Sequence, residues 1–181
     1  MVVAEYDKKW AEDFSLIKAE LCKVLSVPLI IQHVGSTSIP GMRAKPIIDI
    51  DIGLERPDDF AKVKDALQEI GYEHEGDCGI KGREAFARKG AVHNEVLDAI
   101  PHHLYVCSVD NDEYNRHVLF RDYLCRHAEA RDSYNAIKEE ILKKVGADNR
   151  SGYVQMKEME YGWFFEDIIR RAKLEKESGG A

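Results

Sequence analysis

With 181 residues, 33 acidic and 26 basic side chains and a formal charge of −7, the chain suits one domain with a real core, and a general attraction to nucleic acid or anionic membrane is not expected. No run of about eighteen apolar residues occurs, and the N-terminal "MVVAEYDKKWAEDF" is charged from residue 5, so the sequence predicts neither a membrane span nor a secretory signal and favours the cytoplasm. Cys22, Cys78, Cys107 and Cys125 lie far apart with no C-x-x-C pair, which argues against a zinc ribbon or a disulfide framework and for ordinary reduced thiols.

In chain order, Trp10, Phe14, Ile17, Leu21, Val24 and Leu25 recur at helical spacing over 8–26, and "PLIIQHVG" then switches to a β-like run, predicting a helix followed by a strand. A turn rich in Gly, Ser and Pro leads into a second strand, "IIDIDIGL". The stretch "RPDDFAKVKDALQEIGYEHEG" begins with an Asp cap and predicts an amphipathic helix ending at Gly71, with Phe60, Val63, Leu67 and Ile70 inward. "GDCGIKGREAFARKGAVHN" reads as a basic, glycine-punctuated loop, "EVLDAI" as a short strand and "HHLYVCSV" as a clearer one, giving three or four strands. From residue 111 the pattern is helical, with Tyr153, Trp163 and Phe164 expected to pack the last helix onto the sheet. The predicted class is α+β: a single domain over 1–175, with an α/β core at 1–110, a helical extension at 111–175 and a frayed tail at 176–181.

The second strand carries an acid at every second position, although strand interiors disfavour Asp. Side chains alternate across a strand, so Asp49 and Asp51 project from one face while Ile48, Ile50 and Ile52 enter the other. Same-face neighbours two residues apart lie within about 8 Å, and two carboxylates so placed repel unless something neutralises them. Mg²⁺ prefers such oxygen ligands and leaves positions for substrate phosphates. A strand with one solvated face accounts for the same alternation, and on the strand alone both readings stand.

The turn in front bears on that choice. Gly35 permits close backbone approach, and Ser36, Thr37 and Ser38 bring hydroxyls and amides suited to phosphate oxygens. It is not a Walker loop, because the frame from Gly35 to Gly41 has the wrong length and Met42-Arg43 stands where Lys-Ser/Thr is required. The alternative is a rigid connection with Pro40, Gly41 and Pro46 as ordinary turn punctuation, but the loop and the paired acids taken together favour the phosphate reading.

A strand ending in Gly-Ser, a loop, and an Asp-hydrophobic-Asp strand resemble the signature of the nucleotidyltransferase superfamily associated with DNA polymerase β. More closely, "HVGSTSIPGMRAKPIIDIDI" is similar to the hallmark of the GrpB-like family, some of whose members are attached to dephospho-CoA kinase. The likeness extends through "YDKKW", "GIKGREAFARKG", "HHLYV" and "LFRDYLCRHAEARDSYNAIK" to the last helix. It implies a small mixed sheet flanked by helices, with Gly35 and Ser36 on nucleotide phosphates and Asp49 and Asp51 as catalytic, metal-binding acids for Mg²⁺ or Mn²⁺. It further implies transfer of a nucleoside monophosphate from a nucleoside triphosphate to an unknown acceptor. The alternative is a catalytically inactive nucleotide- or anion-binding regulatory module, linked through that kinase to coenzyme A metabolism.

A third acid normally completes the superfamily's site, and "HHLYV" has none. The family's usual His-His-Leu-His-Val has Tyr105 in place of its last His here, while Asp51 stands where many members carry a neutral residue. His103, on the same face as Tyr105, is the candidate third ligand, with Glu95 and Asp98 as runners-up. Ser38, Lys45, Arg83 and Arg88 complete the candidate phosphate-binding set, the two arginines from a basic segment able to fold over the cleft or simply to stay solvated. Arg121 can reach the cleft from a helix or serve a salt bridge. The paired His-x-Thr motifs of cyclic phosphodiesterases are impossible, because Thr37 is the only threonine, and no G-x-S-x-G elbow supports a serine hydrolase.

Overall fold

The computed structural model describes residues 3–146 and 148–178. Its strands are β1 (Leu29–Val34), β2 (Ile48–Leu54), β3 (Tyr72–Gly76), β4 (Arg83–Arg88) and β5 (His102–Ser108). They form one mixed sheet in the order β1-β2-β5-β4-β3, in which only β2 and β5 run parallel. The helices are α1 (Lys9–Val24), α2 (Phe60–Glu69), α3 (Glu95–Ala99), α4 (Asp112–Arg126), α5 (Ala128–Val145) and α6 (Arg150–Ser178). This is the expected class, a mixed sheet flanked by helices with a helical C-terminal part.

The alternation of β2 divides the molecule. Ile48, Ile50, Ile52 and Leu54 are buried with Trp10, Ile17 and Leu21 of α1, Val63 and Leu67 of α2, and Leu97 of α3. Each such aliphatic side chain contributes roughly 1.5–3 kcal/mol by leaving water. A second core joins Tyr123 and Leu124 of α4, Ala130 and Tyr134 of α5, and Phe164, Ile168 and Ala172 of α6 to Ile39 and Met42 of the β1–β2 connection. The helical extension is thereby locked onto the turn that carries Gly35 and Ser36.

Several elements differ from the sequence reading. The basic stretch is half strand, because β3 and β4 pair as a hairpin around a loop in which Gly76, Cys78, Gly79 and Gly82 all take positive φ. "EVLDAI" forms α3 instead of a strand, since the Asn94 side chain accepts from the amides of Val96 and Leu97 at 3.1 and 2.9 Å. That is an N-cap. The sheet therefore has five strands. Helix α6 runs through Ser178, past the expected boundary at 175, and residues 179–181 lie outside the described ones. Phe164 stacks on Tyr134 of α5 and not on the sheet, and Trp163 is 63% exposed. The cysteines are free thiols, and burial pushes that of Cys107 up to about 12. Among the described residues, no helix is long and apolar enough to cross a membrane.

Candidate functional site

The face of β2 opposite the isoleucines carries Asp49, Asp51 and Gly53 toward α4. Gly53 makes this possible: a Cβ there would come within 2.8 Å of the Tyr114 ring, so its absence lets α4 approach the strand closely. One turn beyond Tyr114, His117 then reaches Asp51. His117 Nδ1 donates to Asp51 Oδ2 at 2.7 Å and Nε2 lies 3.2 Å from Glu113 Oε1. Burial disfavours charge on this imidazole, yet its bonds to the two carboxylates outweigh burial and raise its pKa to about 9. Asp51 is consequently 1% exposed, and its other oxygen, Oδ1, is buried with no hydrogen-bond partner.

Asp49 is more open. Its side chain is 34% exposed, and His103 Nδ1 from the neighbouring β5 donates to Oδ1 at 2.9 Å. Oδ2 faces Gly35, where a Cβ would collide with it. Gly35 also adopts φ 69° and ψ −171°, a conformation nearly restricted to glycine. The antiparallel register of β1 and β2, with Val34 opposite Asp49, sets the Gly-Ser turn directly against the first acid.

A cleft of about 470 Å³ opens here, lined among others by Gly35, Ser36, Asp49, Arg83, Tyr134 and Lys157. The Arg83 guanidinium lies 4.3 Å from the Tyr105 ring centroid, and its buried Nε has no partner. Phe120 of α4 and Phe165 of α6 stack at 5.1 Å and also face the cleft. Arg116 ties α4 to α6 through Glu166 at 2.6 Å.

The structure thus gathers Gly35, Ser36, Asp49, Asp51, His103 and Arg83 around one region. The other sequence candidates have separate duties. Ser38 Oγ donates to the Gly35 carbonyl at 2.6 Å and shapes the turn. Lys45 lies within electrostatic range of Asp49, while burial and the charge of Arg150 hold its pKa below the usual lysine range. Arg88 bonds Asp98 and the carbonyls of Ile70 and Val92, so its guanidinium braces α3 and the end of α2. The runner-up Asp98 is thereby engaged, and Glu95 sits on the same short helix. Arg121 donates to Gln32 Oε1 and the His33 carbonyl at 2.8 and 2.9 Å, clasping β1 to α4. His33 stacks on Phe14, meets Thr37 Oγ1 at 3.0 Å, and is held neutral by burial, which lowers its pKa to about 4.

Sequence reasoning did not single out His117, Glu113 or Lys157. A signal existed for the first two: Glu113 and His117 stand four apart in a helical pattern and therefore share a face. Nothing local marks Lys157, whose place depends on how α6 packs.

The fold and this turn-and-acid arrangement define a mixed-sheet protein whose Gly-Ser turn abuts a paired-acid strand, closed by a C-terminal helical layer. The model of the family described as GrpB protein matches residues 1–171, and the chain belongs to that family. It is 34% identical over 154 residues to UPF0157 protein YqkA of Bacillus subtilis, a match spanning 84% of this chain and 43% of that one. The chain thus covers less than half the length of that relative. Glutamate-rich protein GrpB of Alkalihalophilus pseudofirmus is 32% identical over 153 residues, spanning 83% and 86% of the two chains. The crystal structure of conserved protein GrpB from Enterococcus faecalis superposes with a TM-score of 0.76 at 28% identity, covering 94% of this chain and 98% of that one.

Proposed function

We propose that the cleft binds a nucleoside triphosphate, with Gly35 and Ser36 against its phosphates, and transfers the nucleoside monophosphate to an acceptor. The observation that carries this reading is the contact between Gly35 and the Asp49 carboxylate, because it puts a turn open to phosphate oxygens beside an acid able to hold their counter-ion. Among the described residues no group of three or more His, Cys, Asp or Glu side chains is placed to hold a metal, so Asp49, Asp51 and His103 do not form the three-ligand site the sequence suggested. An ion here would rest on the two acids and the substrate phosphates. Each acid has one oxygen held by an imidazole, Asp49 by His103 and Asp51 by His117, and the buried Asp51 Oδ1 lacks any partner. Hydrogen bonds of this kind orient carboxylates for a metal. Asp49 and Asp51 would hold Mg²⁺ or Mn²⁺, which supplies Lewis-acid polarisation of a phosphoryl oxygen when bound. Arg83 and Lys157 offer charge to the phosphates, and the Phe120–Phe165 pair offers an aromatic surface to a base.

A second reading, a catalytically silent nucleotide-binding module, draws support from one observation: His117 already neutralises Asp51. Calorimetry with each nucleoside triphosphate and Mn²⁺, followed by a transfer assay with α-labelled nucleotide, separates the two. Binding with label transfer supports the enzyme, and binding without pyrophosphate release supports the module. No binding of any nucleotide with Mn²⁺ refutes both.

A further inference from the structure

Behind the Gly-Ser turn lies a charged group that the proposed chemistry does not use. Lys138 of α5 is only 4% exposed. Its Nζ donates to Ser36 Oγ at 2.7 Å and to the Arg43 carbonyl at 2.5 Å, and lies 4.3 Å from the Tyr134 ring centroid. All three partners are formally neutral. Among the described residues no carboxylate comes within ion-pair distance of it. Glu139, its neighbour on α5, is occupied by Arg43. The charges that face it are Asp49 from β2, which favours its protonation, and Lys157 from α6, which opposes it. A buried ammonium without a counter-ion is costly, and this one is separated from the cleft by a single hydroxyl.

We propose that Lys138 is the buried counter-cation of a polyphosphate-type anion seated on the Gly35–Ser36 turn, and that it acts on the anion through Ser36. The inference rests on the phosphate-binding reading of the cleft. Because the ammonium donates to Ser36 Oγ, the hydroxyl proton must point elsewhere, toward Tyr134 or toward a cleft ligand. Lys138 therefore sets Ser36 as a hydrogen-bond donor to anions, and is a positioning residue. An arriving anion supplies the negative charge that the cage lacks. Burial, with Lys157 adding to it, lowers the lysine's pKa to about 7, and an anion one hydroxyl away raises it. Binding and protonation are then coupled.

The test is calorimetry of inorganic triphosphate binding to the full chain at pH 7.5, in two buffers of different ionisation enthalpy. The wild type takes up roughly half a proton or more per triphosphate beyond the ligand's own contribution. Lys138→Met abolishes that excess and weakens binding about tenfold at pH 6.5, corresponding to loss of a hydrogen bond to a charged group. The difference in affinity shrinks by pH 8.5, where the wild-type lysine is largely neutral. Lys138→Met should keep or raise its melting temperature without ligand, and Lys138→Gln serves as a second neutral variant if it does not. Ser36→Ala, which leaves the lysine in place, weakens binding and reduces the linked uptake. Triphosphate binding with the same affinity and proton uptake in both Lys138 variants overturns the inference and leaves the cleft reading intact. Absence of triphosphate binding to the wild type overturns both.

Discussion

Replacing His117 by glutamine in metal-free buffer tests the electrostatic design of the second acid. Glutamine can still donate one hydrogen bond to Asp51, so the substitution removes chiefly the charge and the bond to Glu113. The pKa of His117 stands at about 9 against 6.5 for the unperturbed side chain, a difference corresponding to about 3 kcal/mol of folding free energy. Because the folded value is raised, this stabilisation is fully present below pH 6.5 and is lost as pH rises through about 9. Urea denaturation at pH 6, 7.5 and 9.5 should therefore show His117→Gln about 2–3 kcal/mol less stable at pH 6, with the gap closing at the highest pH. Asp51→Asn should destabilise over the same range. Repulsion between Asp49 and Asp51 considered alone gives the opposite sign, since losing one charge would then relieve the pair. The reasoning fails if the His117→Gln deficit is the same at all three pH values, or if Asp51→Asn stabilises the protein.

Gly35→Ala should cost about 1–3 kcal/mol, because its φ and ψ suit glycine and the new methyl meets the Asp49 carboxylate; chemical denaturation and loss of nucleotide affinity together check it. Arg83→Ala and Arg88→Ala should separate, the first weakening triphosphate binding with little change in melting temperature. The second should lower the melting temperature and leave affinity alone, since its guanidinium holds Asp98 and two carbonyls; equal effects on affinity would refute this division. Calorimetry with Mn²⁺ should show binding that weakens strongly in Asp49→Asn and in Asp51→Asn, as each removes a charged oxygen ligand, and unchanged binding in both would reject the ion site.

Much of the fold was legible because its long elements carry unambiguous periodicity. The isoleucines of β2 and the helical spacing of Trp10, Ile17 and Leu21 point to the core they occupy. The β3–β4 hairpin was not legible, because "YEHEG" and "REAFAR" are short, charged and separated by glycines, so composition resembled a loop. For α3 the Asn94 cap was present in the sequence, but five residues are too few for a helical period to outweigh a strand-like "EVL". At the site, Gly35, Ser36 and the two acids could be found because one turn and one strand contain them. His103, the partner of Asp49, was also found, on the neighbouring strand, but the partners of Asp51 and Ser36 were not. His117 and Lys138 come from helices 66 and 102 residues further along the chain than Asp51 and Ser36, and only the packing of α4 and α5 brings them in.

That long-range supply explains how a strand tolerates two aspartates. They are not equivalent, although the alternation of β2 puts them on one face. Asp49 lies where β2 meets the turn, keeps a third of its side chain in solvent and has one oxygen against a glycine. Asp51 lies one pleat deeper, where Gly53 has drawn α4 onto the strand, and it would be a buried uncompensated charge without His117. The glycine two residues beyond the second acid is therefore part of the site. Filling it would push Tyr114 away, lift α4, and strip Asp51 of the imidazole that makes its burial tolerable. Charge in this strand depends on the helix that covers it, and the helix depends on a missing methyl group.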